Sequence, residues 1–419
     1  MIFFGLRCQR LAQRGPKERE PDYQSSTPHA ADHAISDYTL QEYLKDNQAI
    51  LSPNPHAEIA RACLAFLSFD DFSNKAPDCW LRWQHRETLP SPQEFACSPY
   101  HFTRYAVFSW GDHARRAGEA KVLDATLGFL SRPANVAWLV TMVAERRPVP
   151  SKRLLYEELS LRDPDFLKML LAVKFDLKFV LVELLKTRTK PAEIVLDPVI
   201  SRLACDATNR CNKEIVRLLL TQKDVDWNMC TVDGENLLML LAEWNDEDNL
   251  RTLLQKKSCS VNTITDKRSA LQRAVRKGHT SIARLLLEAG ADVEARGNFE
   301  PIIIEAIPRI LTESGRESMD LLLEFKADMN ARCRNGRTVL QRLKIWVICY
   351  PKYVERVCYA IEFFVSKGVD PNLPGRDGRT TLDQIELYMK PDDERAAKTA
   401  QILRKAGGKR NYPALCETD

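Results

Sequence analysis

The chain has 419 residues, a formal net charge of +4, and hydrophobic and charged fractions of 44% and 28%. This composition is that of an ordinary globular protein and excludes fibrous and wholly disordered classes, while so mild a charge does not by itself indicate nucleic acid or an anionic membrane. The 12 cysteines are scattered without a CxxC pair, which disfavours a zinc or redox site and indicates reduced thiols in the cytoplasm or the nucleus.

The N-terminal segment, residues 1–35, is rich in Pro, Gly, Ser and charged residues and lacks sustained periodicity. Arg7, Arg10 and Arg14 lie beside apolar positions, as in a mitochondrial presequence. However, the first twenty residues contain no Ser or Thr, and the stretch becomes acidic at Glu18. We therefore predict a disordered tail rather than a targeting signal.

Residues 36–118 have the pattern of a compact helical module. Apolar residues recur at helical spacing in 39–47 and again in 56–69. The segment 100–118 is rich in aromatic residues, which we expect to form the core of the module; a protein-docking face is the alternative. A helical connector, 119–161, follows.

One stretch, residues 265–292, has a distinctive order of elements. A polar turn leads to a short helix containing Leu271, Gly278 interrupts it, a second helix contains Leu286, and Gly290 ends the unit. This is the pattern of an ankyrin-type repeat. Such a helix pair cannot bury its apolar faces alone, so we expect it to stack on similar pairs and to bind a partner through the shared surface.

The same register recurs along the second half of the chain. One buried position falls at Leu238, Leu271, Ile303, Leu340 and Leu382. The successive spacings are 33, 32, 37 and 42 residues, against an ankyrin period of about 33 residues, so two repeats are expanded. The predicted fold is all-α: the helical module, then an ankyrin-repeat solenoid of about seven units over 162–408 with degenerate early units, then a tail, 409–419. The most apolar long run, 166–185, is interrupted by charges, so we expect no membrane-spanning helix.

Three motifs in the module, EYL (42–44), HAEIAR (56–61) and WGDH (110–113), precede the repeats. This arrangement resembles the region after the NTPase domain in fungal NACHT-ankyrin proteins, a branch of the STAND, NOD-like receptors. The resemblance implies that the repeats are the sensing or partner-binding end. The sequence lacks a P-loop, GxxxxGK[ST], so it resembles a member without its NTPase domain, and ATP hydrolysis is not implied.

An enzyme is the alternative interpretation. His56 and Glu58 match the HxE of zinc deaminases, but the required downstream PCxxC is missing, because Cys79 is next followed by Cys97. We therefore expect no catalytic, cofactor-binding or metal-binding residue. A hydrolase or zinc deaminase-like activity in 36–118, with the repeats as substrate recruiter, remains open, as does a decayed receptor fragment.

The turns between ankyrin repeats project as fingers, and in this chain they are rich in basic residues. The predicted partner-binding residues are Lys267, Arg268, Arg296, Arg332, Arg334, Arg337, Arg376 and Arg379. First-helix residues that could extend this band are Arg273, Arg276, Arg342 and Lys344. We predict that the band binds an acidic segment of another protein, because arginine pairs with carboxylates bidentately. Nucleic acid is disfavoured because no aromatic residues interleave the band; a solvated charged rim is the alternative, and the oligomeric state stays open.

Overall fold

The computed structural model is helical in its described part. It describes residues 53–68, 101–144, 165–188, 197–231, 234–256, 258–263, 268–295, 299–310, 312–349, 354–388 and 393–411. Across those ranges the β-structure is an isolated bridge between Asp197 and Val225, and none of the helices is long and apolar enough to cross a membrane. The predicted all-α class is confirmed.

The chain forms two compact units, Met1–Val195 and Leu196–Asp419. Much of the first unit lies outside the described residues, including the predicted tail 1–35, the EYL segment 42–44 and residues 145–161 of the predicted connector. The helix pair that we predict as the earliest repeat, within 166–185, belongs to the first unit. The domain boundaries stay predictions.

The first unit contains six described helices around a buried core. They are α1 (Pro55–Leu67), α2 (His101–Ala117), α3 (Leu123–Leu130), α4 (Pro133–Ala144), α5 (Phe166–Lys174) and α6 (Lys178–Thr187). Trp110 of α2 is fully buried, and its ring centroid lies 4.8 Å from that of Phe175. A Cβ atom on Gly111 would lie 2.4 Å from the Phe175 ring. The glycine of the WGDH motif is therefore required by this close packing.

A buried carboxylate caps α6. Glu119, only 8% exposed, accepts hydrogen bonds from the backbone N–H groups of Lys178 (2.9 Å), Phe179 (2.7 Å) and Val180 (3.1 Å). The first N–H groups of a helix lack intrahelical partners and favour a negative charge. Glu119 therefore joins the segment after α2 to the α5–α6 hairpin.

The second unit consists of stacked helix pairs. The described helices are α7 (Pro198–Asn209) and α8 (Lys213–Leu220), α9 (Leu237–Trp244) and α10 (Glu247–Leu254), α11 (Ala270–Lys277) and α12 (Thr280–Glu288), α13 (Ile302–Ala306) and α14 (Glu313–Glu324), α15 (Val339–Cys349) and α16 (Val354–Ser366), and α17 (Thr381–Tyr388) and α18 (Glu394–Lys405). First helices contact the first helices of neighbouring pairs, and second helices mostly contact second helices. This is the stacking expected of repeats that cannot bury their apolar faces alone.

Left-handed residues separate the two helices of the first three pairs. Gly278, at the end of α11, has φ +80°, a conformation that glycine adopts at little cost. Cys211 (φ +59°) and Asn245 (φ +57°) take the corresponding places after α7 and α9. The helix therefore stops at the same point in each unit whether or not a glycine is present.

The repeating leucines form the core between pairs. The predicted buried positions Leu271, Leu286 and Leu322 are at most 2% exposed. Leu285, which we also expected to be buried between repeats, is only half-buried, and the fourth core position is instead Leu287, 4% exposed. The face of α12 that packs on its neighbours is therefore rotated slightly from the one expected.

This rotation gives a matched pair of variants. Leu286→Ala should lower the free energy of unfolding by about 2–5 kcal/mol, because it leaves a cavity between helices that cannot collapse fully. Leu285→Ala, the same change one residue away, should cost clearly less. Chemical denaturation of both variants measures the difference; equal losses would contradict the packing described here.

A ladder of polar side chains joins the loops that follow consecutive second helices. Its members are Asn228, Asn262, Glu294, Asn330 and Asn372. Asn262 is typical: its Oδ1 accepts from the N–H of Asp292 at 2.8 Å, and its Nδ2 donates to the carbonyl of Gly290 at 3.0 Å. Each rung therefore supplies partners for loop backbone groups that no helix satisfies.

The ladder should contribute measurably to stability. Asn262→Ala removes both inter-repeat hydrogen bonds, and we expect a loss of about 1–2 kcal/mol in the free energy of unfolding. The neighbouring Thr263→Ala, which removes one exposed hydrogen bond within its own loop, is the control. Denaturant titrations should give a lower free energy of unfolding for Asn262→Ala than for Thr263→Ala. The reverse order would contradict a stabilising role of the ladder.

Candidate functional site

The finger formed by residues 333–337 is a tight turn. The N–H of Cys333 donates to the carbonyl of Arg337 at 2.9 Å, and the N–H of Gly336 donates to the carbonyl of Cys333 at 2.7 Å. Gly336 has φ +72°, which favours glycine at this position. The turn places two arginines, Arg334 and Arg337, beside the glycine.

The finger formed by residues 375–379 repeats this geometry. The N–H of Gly375 donates to the carbonyl of Arg379 at 2.8 Å, and Gly378, with φ +72°, donates to the carbonyl of Gly375 at 3.1 Å. The segments RNGR and RDGR therefore fold alike, and each presents a pair of arginines.

The two fingers stack directly on each other. A Cβ atom on Gly336 would lie 2.8 Å from the Cβ of Arg376, so only glycine fits without displacement. Gln341 strengthens this contact: its Oε1 accepts from the N–H of Thr338 at 3.1 Å, while its Nε2 donates to the carbonyl of Arg379 at 2.9 Å. One side chain thus caps its own helix and holds the next finger.

Four arginines of these fingers form one surface, which we name the fingertip patch: Arg334, Arg337, Arg376 and Arg379. The first three are exposed and Arg379 is half-buried. Within the described part of the chain, neither Arg337 nor Arg376 forms an ion pair. The guanidinium groups of Arg337 and Arg376 are therefore available to a ligand.

Two carboxylates lie beside the fingertip patch. Glu300 accepts from the backbone N–H of Arg334 at 2.9 Å. Asp377 accepts from Nε2 of Gln384 at 3.1 Å and from the backbone N–H of Arg379 at 3.2 Å. Both carboxylates accept backbone N–H groups of the fingers, while Arg337 and Arg376 form no ion pair within the described part of the chain.

The other predicted finger residues are placed differently. Lys267 and Arg296 lie outside the described residues. Arg332 is exposed and donates to the carbonyls of Pro374 and Gly336, so it braces the two fingers. Arg268 makes a bidentate ion pair within the protein, which removes it from the surface available to a partner.

The partner of Arg268 is Glu305. Its Nε and Nη2 donate to the two carboxylate oxygens of Glu305 at 3.1 and 3.2 Å, and its guanidinium carbon lies 4.3 Å from the ring centroid of Phe299. Both side chains are largely buried. This arginine therefore stabilises the contact between α13 and the preceding finger.

Two of the predicted first-helix cations, Arg273 and Lys344, are also held internally, whereas Arg276 is exposed and Arg342 is half-buried. Arg273, 7% exposed, donates to Glu235 at 2.9 Å and to Glu243, and Lys277 pairs with Glu243 at 3.2 Å. Lys344, also 7% exposed, donates to Oε1 of Gln384 at 2.9 Å. Burial lowers the pKa of Lys344, and the nearby Arg337 lowers it further.

The acids that neutralise the early part of the band are Glu235, Glu243 and Glu305, which sequence reasoning missed. Glu243 and Arg273 are 30 residues apart, and Arg268 and Glu305 are 37 apart. Both separations are close to the repeat period of about 33 residues. A search of the sequence for opposite charges about one repeat length apart could therefore have identified these pairs.

The Glu243 cluster should make stability depend on pH. Partial burial acts to raise the pKa of Glu243, but the ammonium of Lys277 and the guanidinium of Arg273 hold it below its ordinary value of 4.5. Because the folded-state pKa is depressed, the stabilisation is fully present above 4.5 and is lost as the pH falls through the folded-state value.

The wild type should therefore lose more free energy of unfolding below pH 4.5 than a Glu243→Gln variant, which has no carboxyl group to titrate there. Denaturant titrations at a series of pH values measure this difference. Parallel pH profiles for the two proteins would show that the cluster contributes nothing.

A histidine pair joins two of the motifs in the first unit. Nδ1 of His56 lies 2.7 Å from Nδ1 of His113, and Nε2 of His113 lies 2.5 Å from the hydroxyl of Tyr105. One atom of each contact must donate and the other accept. Burial lowers the pKa of His56, and Arg116 lowers it further. The contact between the two histidines links α1 to α2.

The zinc deaminase alternative finds no support in the described residues. They contain no group of three or more His, Cys, Asp or Glu side chains placed to hold a metal ion. Cys79 and Cys97, the cysteines that the motif would need, lie outside the described residues. His56 contacts another histidine and its HxE partner Glu58 pairs with Arg61.

Comparison with known proteins supports the repeat assignment. Residues 203–297 match the family model of ankyrin repeats, in three copies, which covers most of the first three helix pairs of the second unit. The predicted ankyrin-repeat solenoid is thus confirmed. None of the curated proteins matches the chain.

Two solved structures are similar to this chain. An ankyrin repeat domain from Acinetobacter baumannii AYE has 20% sequence identity and a TM-score of 0.41, over 49% of this chain and 98% of that one. The ankyrin repeat domain of Bcl-3, a member of the IkappaB protein family, has 21% identity and a TM-score of 0.42, over 56% of this chain and 97% of that one.

Proposed function

We propose that this protein is a non-catalytic scaffold that binds another protein through its ankyrin repeats, and that the fingertip patch receives an acidic segment of that partner. The observation that carries the proposal is the stacking of the two arginine-bearing fingers, 333–337 and 375–379. The stacked turns fix the backbone positions of four arginines, which reduces the entropy lost when a ligand binds.

The charge distribution favours an acidic ligand at these two fingers. The cations of the earlier repeats, Arg268 and Arg273, are paired with carboxylates of the protein. Arg337 and Arg376 are exposed, and guanidinium groups bind carboxylates bidentately. Among the described finger residues, the cations available to a ligand therefore lie at the last two fingers of the array.

Nucleic acid fits this surface less well. The fingertip patch has no aromatic residue in either finger on which a base could stack, and the net charge of the chain is only +4. A protein ligand needs only a few carboxylates spaced to match the arginines. Its binding should weaken as salt screens the exposed charges.

More specifically, we propose a role in NOD-like-receptor-type signalling. It rests on the resemblance carried by the EYL, HAEIAR and WGDH motifs, the last two of which are joined by the contact of His56 with His113. In that setting, the repeats would be the end that recognises a partner. An enzymatic role has no comparable support among the described residues.

Charge reversal at the patch tests the proposal. The test is affinity capture with the full chain carrying Arg334→Glu, Arg337→Glu, Arg376→Glu. This variant should lose partners that the wild type retains, with affinities reduced by about tenfold or more, because the new glutamates repel the carboxylates of an acidic partner. Captured partners are then compared by mass spectrometry, and each is retested with purified protein over a salt series.

The control carries an equal change in charge on another face. Arg217, Arg251 and Arg284 are exposed arginines on the second helices α8, α10 and α12. Their triple change to Glu should leave the partners of the fingertip patch bound. Identical partners for the wild type and the fingertip variant would remove the patch as the binding site.

A further inference from the structure

An open cleft lies between the second helices α14 and α16. Second helices of other neighbouring repeats pack against each other, but these two pack less closely. The space between them has a volume of about 360 Å³, at the lower end of the range for ligand sites. Its lining residues are Ile310, Arg316, Glu355, Arg356 and Tyr359.

The helices that flank the cleft are longer than those of the earlier repeats. The helices α14 and α16 have 12 and 13 residues, whereas α8 and α12 have 8 and 9. At one end, Nζ of Lys367, which follows α16, pairs with Asp320 of α14 at 2.6 Å. The lining residues on these helices lie in the first half of each helix.

The lining of the cleft combines cations with an aromatic surface. Tyr359 is 48% exposed, and Ile310 is a buried apolar residue at 1% exposure. The guanidinium carbon of Arg316 lies 5.1 Å from the ring centroid of Tyr359. Arg356 is exposed.

The cleft is electrically positive. Neither Arg316 nor Arg356 forms an ion pair with a carboxylate of the described residues. The single acid of the lining, Glu355, is held by Lys398, whose Nζ lies 2.6 Å from its Oε1. Two guanidinium groups are therefore left without a counter-charge beside an exposed ring.

We infer that this cleft docks a short acidic segment of a partner protein. A carboxylate of the segment binds Arg316 and Arg356, and a neighbouring apolar side chain packs on Tyr359. Arginine and tyrosine are the residues that dominate binding energy at protein interfaces, and the charge complementarity selects an acidic ligand. The cleft lies on second helices, whereas the fingers precede first helices, so this docking site is separate from the fingertip patch.

The test uses the full chain and a matched pair of labelled peptides. One peptide has a Glu-Leu-Glu core and the other a Gln-Leu-Gln core, and fluorescence anisotropy at low ionic strength measures binding. The measurements are made in a background of Arg334→Gln, Arg337→Gln, Arg376→Gln, which leaves only the half-buried Arg379 of the fingertip patch. The Glu peptide should bind saturably, and the Gln peptide at least about tenfold more weakly.

Adding Arg316→Gln and Arg356→Gln to this background should lower the affinity for the Glu peptide by about tenfold or more, and Tyr359→Ala should also weaken binding. Arg284→Gln, on the neighbouring second helix, should have no effect; thermal unfolding confirms that each variant is folded. Absence of saturable binding in the fingertip background, equal binding of the two peptides, or binding unchanged by the cleft variants would each overturn the inference. None of these results would affect the proposal for the fingertip patch, whose test uses a different variant.

Discussion

Burial of apolar surface between repeats is the constraint on which the second unit depends. Six of its twelve described helices are eight or nine residues long, too short to be stable alone in water. Stacking buries Leu271, Leu286 and their counterparts almost completely. Stacking also buries loops and helix ends, whose backbone groups then need partners. The ladder of polar side chains and Gln341 supply these partners, so apolar packing and polar bridging occur at the same junctions.

The same stacking creates the candidate binding surface. Because each repeat presents its finger at the same point, neighbouring fingers lie side by side and their side chains become one patch. What differs along the array is the internal pairing of charge. Carboxylates of adjacent repeats neutralise Arg268 and Arg273, which stabilises the fold but removes those cations from recognition. At the last two fingers, Arg337 and Arg376 are left available.

The proposed docking cleft occurs where the array is irregular. Other neighbouring second helices pack against each other, whereas α14 and α16 pack less closely and are separated by a cleft lined by arginine and tyrosine. The fingertip patch and the cleft offer the same chemistry on two different surfaces of one unit. A partner with two acidic segments could engage both, and linked binding of this kind gains affinity without any new contact.

Much of the architecture could be predicted from the sequence, because it depends on local patterns that recur. The period, the fingers and buried positions such as Leu238 and Ile303 follow from the spacing of leucines and glycines, since each unit must bury the same face. The tertiary structure alone decided which charges are free and which are paired. Arg273 meets Glu243 across a repeat boundary, and that contact depends on how far each helix is rotated when it packs. The burial of Leu287 in place of Leu285 has the same cause. Periodicity fixes the spacing of residues, but only packing fixes the rotation that brings two side chains together.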